Sequence, residues 1–187
     1  SAPLADPRGF FDHPHFADFS FYKYTSGIQQ WGVQDRLRWE KDLSFDSTAA
    51  EGGFVNGNKW DMMEGYVNQG PGAGAYSSWA FRRAPGFFDV VTYTGIGGQP
   101  QAYKHSLGVE PEMLWVKNRK SARGWAVWHK DAQYDGYLNS DSSFSTTHFN
   151  GVTEDTFICA TSNKDINMSG EQYIAYLFAS VPGISQV

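Results

Sequence analysis

The chain has 187 residues, 41% of them hydrophobic and 17% aromatic, which is enough to bury a core and excludes an intrinsically disordered chain. The formal net charge of −5 argues against a nucleic-acid partner, because such a partner requires a basic face. A single cysteine excludes an internal disulfide, and no apolar run approaches the ~18 residues of a membrane span, so we expect no membrane insertion.

The first segment, residues 1–20, shows neither a helical nor a strand period. Proline and glycine interrupt it at short intervals, yet it carries four phenylalanines, which are too many for a free tail. We predict an irregular N-terminal arm that docks on its own domain or on a neighbour.

Residues 21–86 form short aromatic-rich runs, and two of these runs recur later in the chain. The sequence Trp31-Gly-Val33 is repeated 94 positions on as Trp125-Ala-Val127, and the run from Tyr76 is repeated 97 positions on from Tyr173. The second repeat keeps five identities without a gap, including the Pro85-Gly86 turn. Self-similarity at a fixed offset indicates a duplicated unit, so we predict a partial or degenerate β repeat over 21–86.

Residues 87–187 give clearer strand signals, in which β-branched and aromatic runs are separated by turn residues. On the run from Trp125 to His129, Trp125, Val127 and His129 face one side and Ala126 and Trp128 face the other. Cys159 lies within such a run, where we expect a buried and inert thiol. The predicted strands are 87–94, 101–106, 113–117, 124–129, 137–139, 156–161 and 173–179, with 101–106 pairing back on 87–94.

Many short strands without a sustained helical period predict an all-β protein built as an antiparallel jelly-roll sandwich. We place the complete sandwich at residues 87–187, after the partial copy and the irregular aromatic arm. The chain begins at Ser1 rather than Met and ends after a Pro-Gly turn that leads into another strand in the first copy. We therefore expect a segment or processed product of a longer protein.

The runs Phe87–Gly95, Leu107–Arg119, Trp125–His129, Asn167–Gly170 and Tyr173–Phe178, followed by Pro182-Gly183, resemble a repeated domain of bacteriophage tail-fibre and related virion proteins. Those domains are similar to concanavalin A-like (laminin G-like) jelly-roll sandwiches and often occur in tandem. The resemblance covers 87–187 nearly continuously and 21–86 more loosely. It implies a location in the virion, on a tail appendage or on the capsid surface, and a structural rather than a catalytic role.

Aromatic side chains near the predicted loops are candidate sugar-stacking platforms, although aromatics on strands most often fill a core. Of this group we expect Tyr134 and Trp128 to be the most exposed. The loop Ser140–Gly151 is the segment that a rigid sandwich would present to a surface glycan. The candidate ligand-binding residues are Trp128, Tyr134, Tyr137 and Asp141.

Oxygen-bearing side chains alternate between Asn163 and Glu171. Calcium takes such ligands, and lectin-like sandwiches commonly hold it near one edge, so Asn163, Asp165 and Asn167 are candidate calcium ligands. The alternative is an Asx-rich hairpin between the strands at 156–161 and 173–179, with no metal.

Catalysis by a hydrolase of this fold would require two carboxylates on one face. The carboxylate pairs at 110/112, 131/135 and 154/155 fall in turns or loops and lack the Glu-x-Asp-x-x-Glu strand pattern. We therefore predict no enzymatic activity and no catalytic residues.

The sequence and the resemblance together predict a non-enzymatic, tail-fibre-like virion protein that contributes to attachment at host-surface glycans. Its partners would be other virion proteins and a surface glycan, with a homotrimer as one form of assembly. Two alternatives stay open. One is a capsid-decorating or tail-scaffold protein with a purely architectural role, and the other is a capsule-degrading glycoside hydrolase.

Overall fold

The computed structural model describes residues 10–12, 17–25, 30–39, 41–53, 59–62, 65–67, 76–144, 147–161 and 163–187. Within these residues every regular element is a β-strand, and every strand pairing is antiparallel, which confirms the predicted all-β class. The strands are β1 Phe10–Asp12, β2 Phe19–Tyr24, β3 Gly32–Asp35, β4 Lys41–Asp42, β5 Gly52–Gly53, β6 Lys59–Met62, β7 Gly65–Val67, β8 Tyr76–Phe81, β9 Phe88–Thr94, β10 Gln101–Lys104, β11 Met113–Asn118, β12 Trp125–His129, β13 Gly136–Tyr137, β14 Phe149–Val152, β15 Thr156–Cys159 and β16 Gln172–Phe178.

The chain divides into two compact units. The first contains Ser1–Ser44 and Glu51–Arg82, and the second contains Phe45–Ala50 and Arg83–Val187. The division between the units falls at 82/83, whereas the predicted boundary was 86/87, and two further features differ from the prediction. Strand β1 forms within the segment expected to be irregular, and a short internal segment, Phe45–Ala50, belongs to the second unit. In the described part of the chain, no helix is long and apolar enough to cross a membrane.

The second unit is a two-layer sandwich. Its larger sheet has the strand order β13-β12-β11-β16-β9, and its smaller sheet has the order β10-β15-β14. Tyr93 of β9 stacks on Tyr173 of the same sheet, with ring centroids 5.1 Å apart, and meets Phe157 of the smaller sheet edge-on at 5.5 Å. The larger sheet also contributes Leu114, Val116, Ala126, Ala175 and Leu177 to this buried core.

The pairing of β10 differs from the prediction. It pairs along its whole length with β15 of the smaller sheet, whereas β9 pairs with β16 in the larger sheet. The segment 160–171 therefore crosses between the sheets and is not the loop of a hairpin. The sequence also missed β14, because the residues Phe149–Val152 include a polar residue and a glycine and lack a regular alternation.

The outer face of the larger sheet is covered by the segment Phe45–Ala50. The ring of Phe45 lies 5.0 Å from that of Trp125 and 5.4 Å from that of Trp115. The carbonyl of Thr48 accepts hydrogen bonds from the backbone N–H of Arg123 at 2.8 Å and from the ammonium of Lys117 at 3.2 Å. This cover explains why Trp125 is fully buried on the face opposite Ala126 and Trp128.

The first unit repeats the same sheet orders. Its strands form one sheet ordered β3-β2-β8, a second ordered β1-β7-β6 and a two-stranded pair of β4 and β5. The order β3-β2-β8 matches β12-β11-β16 of the second unit, and β1-β7-β6 matches β10-β15-β14. The strand orders of both sheets of the second unit therefore recur in the first.

The duplication preserves strand register. Strand β2 precedes β11 by 94 positions, and β8 precedes β16 by 97. An ion pair recurs in the same place, with Asp18 and Arg36 3.6 Å apart in the first unit and Glu112 and Lys130 3.4 Å apart in the second. Corresponding cross-strand partners are Phe19 with Phe81 and Asp35 in the first unit, and Met113 with Phe178 and His129 in the second.

The repeated Pro-Gly turns also have the same geometry. Ala84 bridges to Phe88, and Val181 bridges to Ser185, 97 positions on. Gly86 and Gly183 have φ values of 75° and 77°, in the left-handed region that glycine adopts without a steric cost. The equal geometry confirms that the echo in the sequence is a structural repeat.

Candidate functional site

Tyr137 and Asp165 come together in the second unit. The phenol of Tyr137 donates a hydrogen bond to Oδ2 of Asp165 at 2.6 Å, and its oxygen lies 3.1 Å from Nε2 of His148. Because the phenolic proton of Tyr137 is directed at Asp165, the hydrogen bond between Tyr137 and His148 requires the proton on Nε2 of His148, which donates it to the phenolic oxygen. The arrangement ties β13 to the segment before β14 and to the crossing between the sheets.

Asp135 is the fourth member of this cluster. It is buried, and its Oδ2 accepts the backbone N–H groups of His148 and Phe149. Burial raises the pKa of the Asp135 carboxyl, because the charged form is separated from water. His148 thus lies between two carboxylates, with Nδ1 3.9 Å from Asp135 and Nε2 3.8 Å from Asp165.

The two carboxyls are shifted in opposite directions. The imidazole of His148 is the main cause of a lowered pKa at Asp165, and the hydrogen bond from Tyr137 adds to it. Burial, followed by the neighbouring Asp165, raises the pKa of Tyr137, so its phenol stays protonated at neutral pH. Each polar group in the cluster holds a neighbouring segment, which makes the cluster a structural anchor for the loops at this end of the sandwich.

The three candidate calcium ligands have other partners. Oδ1 of Asn163 accepts the backbone N–H of Asp165 at 2.9 Å, which closes an Asx turn. Asn167 is fully buried, and its Oδ1 accepts hydrogen bonds from Ile96 N and Tyr103 Oη at 3.1 Å each. The amide nitrogen of Asn167 donates to two backbone carbonyls. Oδ2 of Asp165 accepts the phenol of Tyr137, so all three candidate residues accept hydrogen bonds within the protein, and the segment forms an Asx-rich loop.

The four candidate ligand-binding residues separate into two groups. Tyr134 has 47% of its surface exposed, and Asp141 is exposed in the loop that follows β13. Tyr137 is half-buried in the cluster described above. Trp128, expected to be exposed, packs against the core instead, because it shares the inner face of β12 with Ala126.

The second unit also has an open cleft of about 690 Å³. It is lined by the ion pair of Glu112 and Lys130, by Ser180 and by residues 182–187. Ser180 donates a hydrogen bond to Glu112, which is the main cause of a lowered pKa at that carboxyl. Charged and hydroxyl groups therefore share this cleft with the apolar side chains of Pro182 and Ile184.

The sequence did not single out a second exposed aromatic, Trp39, in the turn that follows β3 of the first unit. The carboxylate of Asp35 organises this turn: its Oδ1 accepts the N–H groups of Leu37 and Arg38 at 3.1 and 3.0 Å. Its Oδ2 lies 2.5 Å from Nε of Arg38, whose Nη2 donates to the carbonyl of Val33 at 3.1 Å. Both charged side chains are fully buried, so the turn is built on an internal ion pair.

Trp39 ends this turn with a φ of 57° and with half of its surface exposed. For a bulky residue this left-handed conformation is a true outlier, costing about 1–2 kcal/mol. The surrounding turn sustains it, and Leu37 is exposed as well. One sequence signal was available: extending the 94-residue offset beyond Val33 places Trp39 in the same turn as the predicted ligand residue Tyr134.

A model of one protein family, described as a domain of unknown function (DUF7483), matches residues 16–187. The match includes most of the described residues of the first unit and all of the second. No curated protein and no solved structure matches the chain. Since the family model covers far more than half of the sequence, this chain belongs to the DUF7483 family.

Proposed function

We propose that this chain is a non-enzymatic structural protein of a bacteriophage particle, tail-fibre-like, that contributes to attachment at host-surface glycans. Two observations support the proposal: the resemblance of residues 87–187 to virion appendage repeats, and the surface of the second unit. The observation that carries it is the exposed ring of Tyr134, and the same unit also has an open cleft lined by charged and hydroxyl groups.

The exposed ring and the cleft provide the kinds of groups that bind sugars. A pyranose ring has an apolar C–H face that stacks on an aromatic ring, and hydroxyl groups that bond to charged side chains. The cleft supplies a carboxylate, an ammonium and serine hydroxyls, and its volume is within the range of ordinary ligand sites. Contact with a glycan needs no further chemistry than this.

The proposal includes the assembly of the protein. As part of a virion appendage the chain contacts other virion proteins, and a homotrimer is the assembly that the resemblance to tail fibres implies. Such an assembly would present several copies of the same weak glycan contact, and multivalency would raise the overall avidity without any new contact.

Immunogold electron microscopy of the intact particle, with antibody against this chain, tests the proposal. Label at the distal end of the tail appendages is the expected result. Label spread over the head would replace the attachment role with capsid decoration, and particles without label would contradict the resemblance to phage proteins.

A further inference from the structure

We propose that the turn Arg36–Trp39 of the first unit is a second glycan-contact site, in which the ring of Trp39 stacks on one pyranose ring of a surface polysaccharide. The site deepens the proposed function and rests on it. Its counterpart is the turn in the second unit that carries Tyr134.

The two turns share their backbone hydrogen bonds. In the first unit, Arg36 N donates to Asp18 O at 2.9 Å, and in the second, Lys130 N donates to Glu112 O at 2.9 Å. The next residue in each turn donates its N–H to the side chain two positions earlier, at 3.1 Å to Asp35 and 3.2 Å to His129. The two turns therefore begin with the same hydrogen bonds at the same place in their sheets, and they differ at Trp39, whose left-handed φ has no counterpart among the described residues of the second unit's turn.

Each turn carries the same two features at its surface. The first is an exposed aromatic ring, Trp39 at 50% and Tyr134 at 47%, the tyrosine lying one position later in its turn. The second is the recurring ion pair, whose side chains are 30% and 21% exposed at Arg36 and Asp18. Different side chains thus produce the same surface chemistry in both repeats.

A sugar ring fits this surface better than a protein partner does. The exposed large apolar side chains of the turn are Leu37 and Trp39, with Arg36 in the same turn and the exposed Lys41 shortly after it. A stable protein interface needs about 800 Å² on each partner with an apolar centre, which two apolar side chains among charged ones do not supply. One pyranose needs only one ring face and a few hydrogen-bonding groups beside it.

The buried ion pair gives the site its rigidity. Asp35 and Arg38, both fully buried, fix the backbone of the turn from inside, so the exposed ring of Trp39 is attached to a structured base. A ring presented by a rigid segment loses little conformational freedom on binding, which is the advantage of a pre-organised contact residue. The left-handed φ of Trp39 changes the direction of the backbone at the residue that carries the exposed ring.

Binding of the full chain to an array of purified bacterial O-antigen and capsular polysaccharides tests the inference. We expect Trp39→Ala and Tyr134→Ala each to weaken the apparent affinity about tenfold, and the double variant to abolish detectable binding. Trp39→Phe should restore most of the loss, because it keeps a stacking ring. Trp79→Ala is the matched control, since Trp79 is 44% exposed on β8 but stacks on Phe21, and it should leave binding unchanged.

The outcomes separate the inference from the proposed function. If the wild-type chain binds and Trp39→Ala binds equally well, the second site is wrong while glycan attachment stands. An equal loss in Trp79→Ala would also overturn the role of Trp39. If the wild-type chain binds no polysaccharide on the array, the proposed function itself fails. If Trp39→Ala loses its near-ultraviolet circular dichroism and is therefore misfolded, Trp39→Phe is compared with wild type instead. The measurement is then the quenching of tryptophan fluorescence during titration with polysaccharide. Quenching that is lost in Trp39→Phe supports the site, and quenching that is unchanged refutes it.

Discussion

Replacing Arg38 with methionine should strongly destabilise the first unit. The guanidinium is fully buried, donates to Oδ2 of Asp35 at 2.5 Å and to the carbonyl of Val33 at 3.1 Å, and is the ion-pair partner of a fully buried carboxylate. Removing it leaves the charge of Asp35 in the interior without that partner. Breaking a buried pair from one side costs about 3–5 kcal/mol, a large part of the ~5–15 kcal/mol that stabilises a typical domain.

The double variant Asp35→Asn/Arg38→Met separates the contribution of the buried charges from that of the hydrogen bonds that Oδ1 of residue 35 accepts from the turn backbone. Both backbone N–H groups of the turn bond to Oδ1 of Asp35, so an asparagine oxygen in that place can accept them. Without a buried charge on either side, we expect the loss to fall to about 1–2 kcal/mol, because isosteric replacement of buried pairs is often nearly neutral.

Urea unfolding at neutral pH measures both changes, with the transition of the first unit followed separately from that of the second. The single variant should have the larger loss and the double variant should recover most of it. A loss below about 1 kcal/mol in the single variant, or a double variant no more stable than the single one, would refute the role of the ion pair as the internal support of the turn.

Four further predictions concern Trp39, Asp135 and Cys159. Trp39→Gly should be about 0.5–1 kcal/mol more stable than Trp39→Ala, because alanine retains the left-handed penalty of ~1–2 kcal/mol while glycine loses part of that gain through its freer unfolded chain, and equal unfolding midpoints would contradict the positive φ. Asp135→Ala should lose about 2–3 kcal/mol by leaving the buried N–H groups of His148 and Phe149 without their acceptor, whereas Asp135→Asn should lose less than half of that. Because burial raises the pKa of Asp135, its ionisation costs stability as the pH rises from its unfolded to its folded pKa, so the stability advantage of wild type over Asp135→Asn should shrink between pH 3 and 7, and a growing advantage would reverse the sign of the shift. Burial raises the pKa of Cys159 to about 12, so Ellman's reagent should label the thiol only after unfolding, and rapid labelling of the native protein at pH 8 would place it at the surface.

The sequence alone determined which side chains share a face of strand β12 and that the chain repeats itself. A period of two put Ala126 and Trp128 on one face of β12 and Trp125 on the other, and the structure confirms this. The offset of 97 likewise predicted equal Pro-Gly turns at Gly86 and Gly183. These properties are local, since alternation and turn chemistry depend on neighbours along the chain.

The partners of each strand were decided only by the tertiary structure. Alternation specifies two faces of a strand but not which other strand supplies the hydrogen bonds, so the pairing of β10 with β15 rather than β9 could not be read from 101–104. Trp128 is half-buried for the same reason. The alternation placed it on the same face as Ala126, but the sheet packed opposite decides that this face is the inner one, and the expectation that Trp128 is exposed was wrong.

The candidate sites show the same division. The alternating oxygens around Asn167 indicated an Asx-rich segment, but their use as internal hydrogen-bond acceptors depends on Ile96 and Tyr103, which are 71 and 64 positions away. The left-handed Trp39 had no local signal, because glycine and asparagine are the residues that ordinarily mark such a position. The sequence therefore determined the class, the repeat and the residues that share a face of β12, whereas long-range contacts decided which face is inward, the strand partners, the burial of Asp35 and Arg38 and the display of Trp39.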